Sequence, residues 1–64
     1  MSQREKALEK IEFHLGKLIR AKNHNKFDLA HTEQIKIVGM LSLAKELEII
    51  TSEEYEHYFD KIFS

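Results

Sequence analysis

The scarcity of residues that bend or reverse a helix is the feature that most constrains this chain. Its 64 residues include no proline and only two glycines, Gly16 and Gly39. A fold built from many short strands needs such residues at its frequent turns, so this composition favours long helices. Three amphipathic segments agree with that expectation. The sequence therefore predicts one all-α domain over residues 1–64, in which an antiparallel helical hairpin is joined by a short C-terminal aromatic helix.

The first helix is predicted over residues 3–22. Ser2 and Glu5 have the S-x-x-E spacing of a capping box, which satisfies the free N–H groups at a helix start. Apolar residues recur every three or four positions and form a single stripe, which indicates one buried face. The stripe consists of Leu8, Ile11, Leu15, Leu18 and Ile19.

Phe13 lies off this stripe, among the charged residues of the first helix. Single exposed apolar residues are common and usually have no function. In a chain with so little core, an exposed ring is also a candidate contact for a partner protein. We therefore take Phe13, with Lys17 and Arg20 beside it, as candidate partner-binding residues.

The second helix is predicted over residues 28–48, with Asp28 favoured over Thr32 as its N-cap. Apolar residues cover about half of its circumference, and Ile35 and Val38 extend them toward the other side. A helix that is apolar so far round is buried from more than one direction, so we expect it to be central and the protein to form a homodimer. Gly39 in its interior is expected to mark a close approach of another helix.

The third helix is predicted over residues 52–63. Thr51 and Glu54 form a second capping box. The apolar stripe that follows is mostly aromatic and is expected to pack inward; it consists of Tyr55, Tyr58, Phe59, Ile62 and Phe63. The tyrosine hydroxyls should reach the rim of the core, which makes Tyr55 and Tyr58 the remaining candidate partner-binding residues.

Charge is divided unevenly along the chain. Residues 1–26 carry seven Lys or Arg against three Glu, whereas residues 27–64 carry three Lys against eight Asp or Glu. Such asymmetry can mark a nucleic-acid surface. It also fits a basic helix that lies beside an acidic one, and we favour this second interpretation because the cations are dispersed among acids.

No enzymatic or cofactor chemistry is predicted. Cysteine is absent, and no two of the four histidines have the i, i+3 or i+4 spacing of helical metal ligands. Charged residues are expected on solvated helix faces, where pKa values are seldom shifted. The longest run without a polar side chain, Ile37 to Leu41, is far too short to span a membrane, and the N-terminus lacks the pattern of a signal peptide. We expect a cytoplasmic protein with no metal and no cofactor.

The stretch AKELEIITSEEYEHY resembles a helix-turn-helix in outline. It is also similar to short C-terminal helical hairpins written G-I-I-T-x-E-E-[YF] in bacterial proteins, with Glu48 in place of the glycine. Acidic residues at the start of the following helix would repel phosphates, so we interpret the segment as a plain helical hairpin.

These features favour a small protein-interaction module, an adaptor or modulator of another protein in a bacterium or phage. The alternative is a dimeric nucleic-acid-binding regulator that uses the basic first helix. Protonation of all four histidines would change the formal charge from −1 to +3, so association is expected to depend on pH between about 5 and 7.

Overall fold

Three helices make up most of the structure, a computed structural model that describes residues 2–64. Helix α1 spans Gln3–Asn23, α2 spans Phe27–Glu46 and α3 spans Ser52–Ile62. The predicted bounds differ from these by at most two residues. No strand occurs between residues 2 and 64. The predicted all-α class is confirmed.

The helices run alternately up and down, so α3 is antiparallel to α2 and parallel to α1. Three polar contacts fix the direction of α3 along α1. Arg4 binds the Glu54 carboxylate through both terminal nitrogens, at 2.8 and 2.5 Å. Further along, the Tyr58 hydroxyl donates to Glu12, and Lys22 donates to the Ile62 carbonyl. α3 therefore lies against one side of the α1–α2 hairpin.

Both α1 and α2 end in the same hydrogen-bonded turn. After α1, the N–H groups of Asn25 and Lys26 donate to the carbonyls of Lys22 and Ala21. After α2, Glu48 and Ile49 make the equivalent bonds, to Lys45 and Ala44. In both turns the residue after the C-cap is left-handed, with φ of 58° at Asn25 and 59° at Glu48. This is the Schellman motif, for which asparagine is well suited and glutamate is not.

The core is formed where the three apolar stripes meet. Its largest side chains are fully buried and come from all three helices: Ile11, Leu18, Ile37, Leu41 and Ile62. Leu8, Val38, Met40, Ile49 and both tyrosines pack around them. Ile19, although part of the predicted stripe, is half exposed. Burying one large aliphatic side chain contributes about 1.5–3 kcal/mol, so a few such residues account for most of the hydrophobic stabilisation.

The start of α2 differs from the prediction. Neither Asp28 nor Thr32 is its N-cap: Lys26 holds that position and gives no side-chain cap bond. Asp28 lies in the first turn instead, where a negative charge is favourable near the positive end of the helix dipole. The Thr32 hydroxyl donates to the Asp28 carbonyl inside the helix.

The other helices cover less of the apolar surface of α2 than the sequence predicts. Within this chain, several large apolar side chains of α2 remain mainly exposed, namely Phe27, Leu29, Ile35 and Leu43. Gly39 has no neighbouring atom within 4 Å of where a Cβ would stand, so the expected close helix approach is wrong for the single chain. Its position on an exposed part of α2 explains why a glycine is tolerated there.

The aromatic residues of α3 do not all pack inward. Ile62 is the fully buried residue of this helix, while Tyr55 and Tyr58 are half-buried against the core. Phe59 and Phe63 are 38% and 54% exposed, so the prediction is wrong for these two rings. The rings of Tyr55, Phe59 and Phe63 form a ladder one helical turn apart, with centroids 5.8 and 4.7 Å from each other.

Candidate functional site

The five predicted partner-binding residues lie on two different faces. Phe13 is 57% exposed, and the Lys17 ammonium lies 5.1 Å from the centre of its ring. Lys17 and Arg20 line a groove between α1 and α2. Tyr55 and Tyr58 belong to α3 and contact the opposite edge of the hairpin. The structure therefore brings the three α1 residues together and separates them from the tyrosines.

The tyrosines are held by contacts inside the bundle. The Tyr58 hydroxyl donates to Glu12 over 2.7 Å. Burial, followed by that bond to the carboxylate, raises the pKa of Tyr58 to about 12. Lys45 of α2 lies 4.6 Å above the ring of Tyr55. Both residues thus join α3 to its neighbours.

An apolar groove lies between the first half of α1 and the second half of α2. Lys10 is the one charged residue among those that line it: Ala7, Lys10, Ile11, Met40, Leu43, Ala44, Leu47 and Ile49. Leu43 and Leu47 remain 57% and 58% exposed beside it. We call this the apolar groove.

A second groove continues along the same two helices, toward the loop that joins them. Its walls carry three cations and are formed by Lys17, Arg20, Ala21, His24, Lys26, Leu29 and Glu33. We call this the basic groove. Phe13 lies next to it, in a shallow depression shared with Lys6, Glu9 and Lys10.

The two grooves and Phe13 form one continuous side of the hairpin, which we call the hairpin face. It lies away from α3. Glu12, which contacts α3, and Lys10, which lines the apolar groove, are two residues apart and point about 200° from each other around α1. The third helix therefore leaves this side of the hairpin uncovered.

A hydrogen bond between His14 and Glu33 links α1 to α2 beside the basic groove. His14 Nδ1 lies 2.7 Å from Glu33 Oε2, and Glu33 is only 3% exposed. Lys36 lies 4.0 Å from the other carboxylate oxygen. An ionised carboxylate only accepts, so the ring nitrogen is then the donor. The expectation that charged residues occupy solvated faces is wrong at Glu33.

Sequence reasoning missed this pair because its members are 19 positions apart on different helices. One signal was present: Glu33 has Ala30 and Ile37 as helical neighbours on the apolar stripe of α2. A carboxylate at such a position needs a partner, since burial without one is costly. Because this buried hydrogen bond joins α1 to α2, its geometry supports a structural role.

A third apolar surface lies on the other side of α2, where it meets α3. Ile35 is 62% exposed, and Phe63 and Val38 lie beside it in a shallow groove that also includes His31 and Gln34. Phe59 contacts Phe63 through the aromatic ladder. We call Ile35, Val38, Phe59 and Phe63 the aromatic patch.

The four histidines lie in four different surroundings. His14 pairs with Glu33, His24 lines the basic groove and His31 borders the aromatic patch. His57 meets the ring of Tyr58 edge-on. Between residues 2 and 64, no three His, Asp or Glu side chains come close enough together to hold a metal ion. Over the same range, no helix combines the length and the apolar character needed to cross a bilayer.

Similarity to other proteins does not add to this description. No family model, no curated protein and no solved structure matches the chain.

Proposed function

We propose that this protein is a small non-enzymatic interaction module, a cytoplasmic adaptor or modulator of bacterial or phage origin that occupies the surface of another protein. The exposure of Phe13 on the uncovered hairpin face carries this proposal. Its ring is 57% exposed and has a cation on it, yet it adds nothing to the core. Aromatic and arginine side chains are the residues most often responsible for affinity at protein interfaces.

Replacement of Phe13 by alanine tests the proposal. Phe13→Ala should leave the helical content and melting temperature nearly unchanged, because more than half of the residue is exposed and it lies outside the core. It should reduce capture of the protein partner from native extract about tenfold or more, as expected for an anchor residue. The matched control is Phe27→Ala, which removes a ring that is 66% exposed and lies outside the residues that line the grooves.

Nuclease treatment distinguishes a protein partner from nucleic acid in the same experiment. A stoichiometric protein that survives nuclease and is lost with Phe13→Ala would support the interaction module. Equal capture by the wild type and the Phe13→Ala variant would contradict it. A large loss of stability in this variant would show that Phe13 is a core residue.

We also propose that the protein pairs with a second copy through the aromatic patch. A two-fold interface places the same surface on both partners, so a patch that carries formal charge repels itself. None of the four residues of the aromatic patch is charged, whereas several cations line the hairpin face. The aromatic patch is thus the surface better suited to self-association.

A second candidate function is nucleic-acid binding by the hairpin face. One observation favours it: Lys6, Lys10, Lys17, Arg20 and Lys26 all lie along this face. Phosphate contacts by these residues would make DNA affinity fall steeply with salt. The exposed apolar side chains of Leu43 and Leu47 on the same face have no role in such binding, so we rank this function second.

A further inference from the structure

We infer that the hairpin face binds an acidic amphipathic helix of a partner protein, which would lie along the grooves as a fourth helix of the bundle. This inference rests on the proposed function and specifies its partner. Three properties of the face support it: the spacing of its apolar residues, the sign of its charge and its length.

A row of residues on α2 has the spacing of a helix-packing seam, with alternating steps of four and three. The row consists of Leu29, Glu33, Lys36, Met40, Leu43 and Leu47. All of these except Lys36 line the two grooves. Within a single chain this seam has only one neighbour, because α3 lies on the other side of α2.

The facing row on α1 has the same spacing, with alanine as its apolar residue and Lys or His at the other positions. It consists of Ala7, Lys10, His14, Lys17, Ala21 and His24. Ala7 lines the apolar groove opposite the exposed side chains of Leu43 and Leu47. Another helix can therefore approach closely and bury its own apolar stripe against these leucines.

The charge of the face selects an acidic partner. Five cations line the hairpin face, and Glu9 and Glu33 are the acids among its lining residues. Glu33 is buried and already hydrogen-bonded to His14, whereas the five cations are on the surface. A second copy would bring a second set of five cations to the same interface, which is repulsive. A helix flanked by Asp and Glu would meet complementary charge along its whole length.

The length of the face sets the length of the partner segment. Leu29 on α2 and Leu47 at its C-cap mark the ends of the face, and the 18 residue steps between them at ~1.5 Å each span roughly 27 Å. An amphipathic helix of about five turns would cover this distance. It would contact the apolar groove at one end and the basic groove at the other.

A pair of synthetic peptides tests the inference directly on the full-length protein. The first is an 18-residue amphipathic helix with leucine along one face, at the spacing i, i+3, i+4 and i+7. Glutamate occupies the positions that flank this face. The second has lysine in place of every glutamate. We expect the acidic peptide to bind in isothermal titration calorimetry at physiological salt, and to bind at least about tenfold more tightly than the lysine peptide.

Three variants of the protein locate the binding. Leu43→Asn should weaken binding of the acidic peptide about tenfold or more, since Leu43 is a principal apolar contact. Lys10→Glu should weaken it and make the affinity less sensitive to salt. The matched control is Ile35→Asn, which changes an equally exposed residue on the aromatic patch and should leave peptide affinity unchanged. Circular dichroism verifies that all three variants are folded.

Several outcomes would overturn the inference. These are failure of the acidic peptide to bind, equal affinity for both peptides, or no effect of Leu43→Asn. Displacement of the peptide by duplex DNA at lower concentration would assign the face to nucleic acid. Self-association that Leu43→Asn abolishes would assign it to a second copy. The Phe13→Ala capture experiment is independent of these: if it succeeds while the peptide fails, the protein has a partner of different chemistry.

Discussion

Glu48 has a left-handed backbone, with φ of 59°, at the position where the Schellman turn after α2 favours glycine. This conformation brings the Cβ of an L-residue too close to its own carbonyl oxygen. Glycine has no Cβ, so Glu48→Gly should stabilise the protein by about 1 kcal/mol and raise its melting temperature by about 4–8 °C. Thermal unfolding followed by circular dichroism measures the change.

Asn25 provides the matched control for this prediction. It has the same conformation after α1, with φ of 58°. Asparagine tolerates the left-handed region, so Asn25→Gly should change stability by less than about 0.5 kcal/mol. A Glu48→Gly variant less stable than the wild type would show that the glutamate side chain stabilises the turn by more than the strain costs.

The ionisation of Glu54 makes the stability of the protein depend on pH in the acid range. The hydrogen bonds from Arg4, followed by that from the Thr51 N–H, lower its pKa from 4.5 to about 2. The folded state therefore releases this proton more readily than the unfolded state. The resulting stabilisation is fully present above pH 4.5 and is lost as the pH falls toward 2. Acid titrations of the unfolding free energy should show this loss.

Glu54→Gln isolates the charge in this titration. Glutamine can still accept the Thr51 N–H, so the capping box is kept while the ion pair with Arg4 is removed. The variant should be less stable than the wild type at neutral pH. Its unfolding free energy should also change less between pH 4.5 and 2. The control is Glu56→Gln, which removes an exposed carboxylate from the same helix. An unchanged acid profile for Glu54→Gln would contradict the prediction.

At the scale of single elements, α3 is attached to the hairpin by an aliphatic residue more than by its rings. Ile62 is fully buried, whereas Phe59 is 38% exposed. Ile62→Ala should therefore destabilise the protein by about 2–5 kcal/mol, which is a large part of the stability of so small a domain. Phe59→Ala should cost clearly less, although it removes more atoms. Denaturant unfolding at a concentration where the protein is monomeric compares the two.

The same helix shows what the spacing of apolar residues can and cannot predict. Its stripe correctly predicted a helix and the side that faces the hairpin. The stripe extends over Phe59 and Phe63 as well, but α2 and α1 together cover only its centre, near Ile62 and Tyr58. α2 behaves similarly: its apolar circumference is real, but one chain supplies helices on only two of its sides. The apolar pattern of one helix cannot specify how much of its surface the neighbouring helices cover.

At the scale of the whole molecule, uncovered apolar surface on both sides of α2 leads to a prediction about assembly. If two copies pair through the aromatic patch, sedimentation equilibrium should show an apparent mass that rises from monomer to dimer with concentration. Ile35→Lys should shift this equilibrium to monomer, because the two-fold axis would bring the introduced charges into an apolar contact. Leu43→Lys, on the hairpin face, should leave it unchanged. A monomer at all concentrations would contradict the prediction.

Local sequence signals account for the helices of this protein. Helix length, the Thr51–Glu54 capping box, the left-handed turn at Asn25 and the apolar stripes are local properties, set by residues within about two turns of each other. The other features arise only when the chain folds, because they depend on which stripes meet and how much of each stripe is covered. Tertiary packing paired His14 with Glu33 across 19 positions and separated Phe13 from the tyrosines. It also placed α3 on one side of the hairpin and left the other side uncovered.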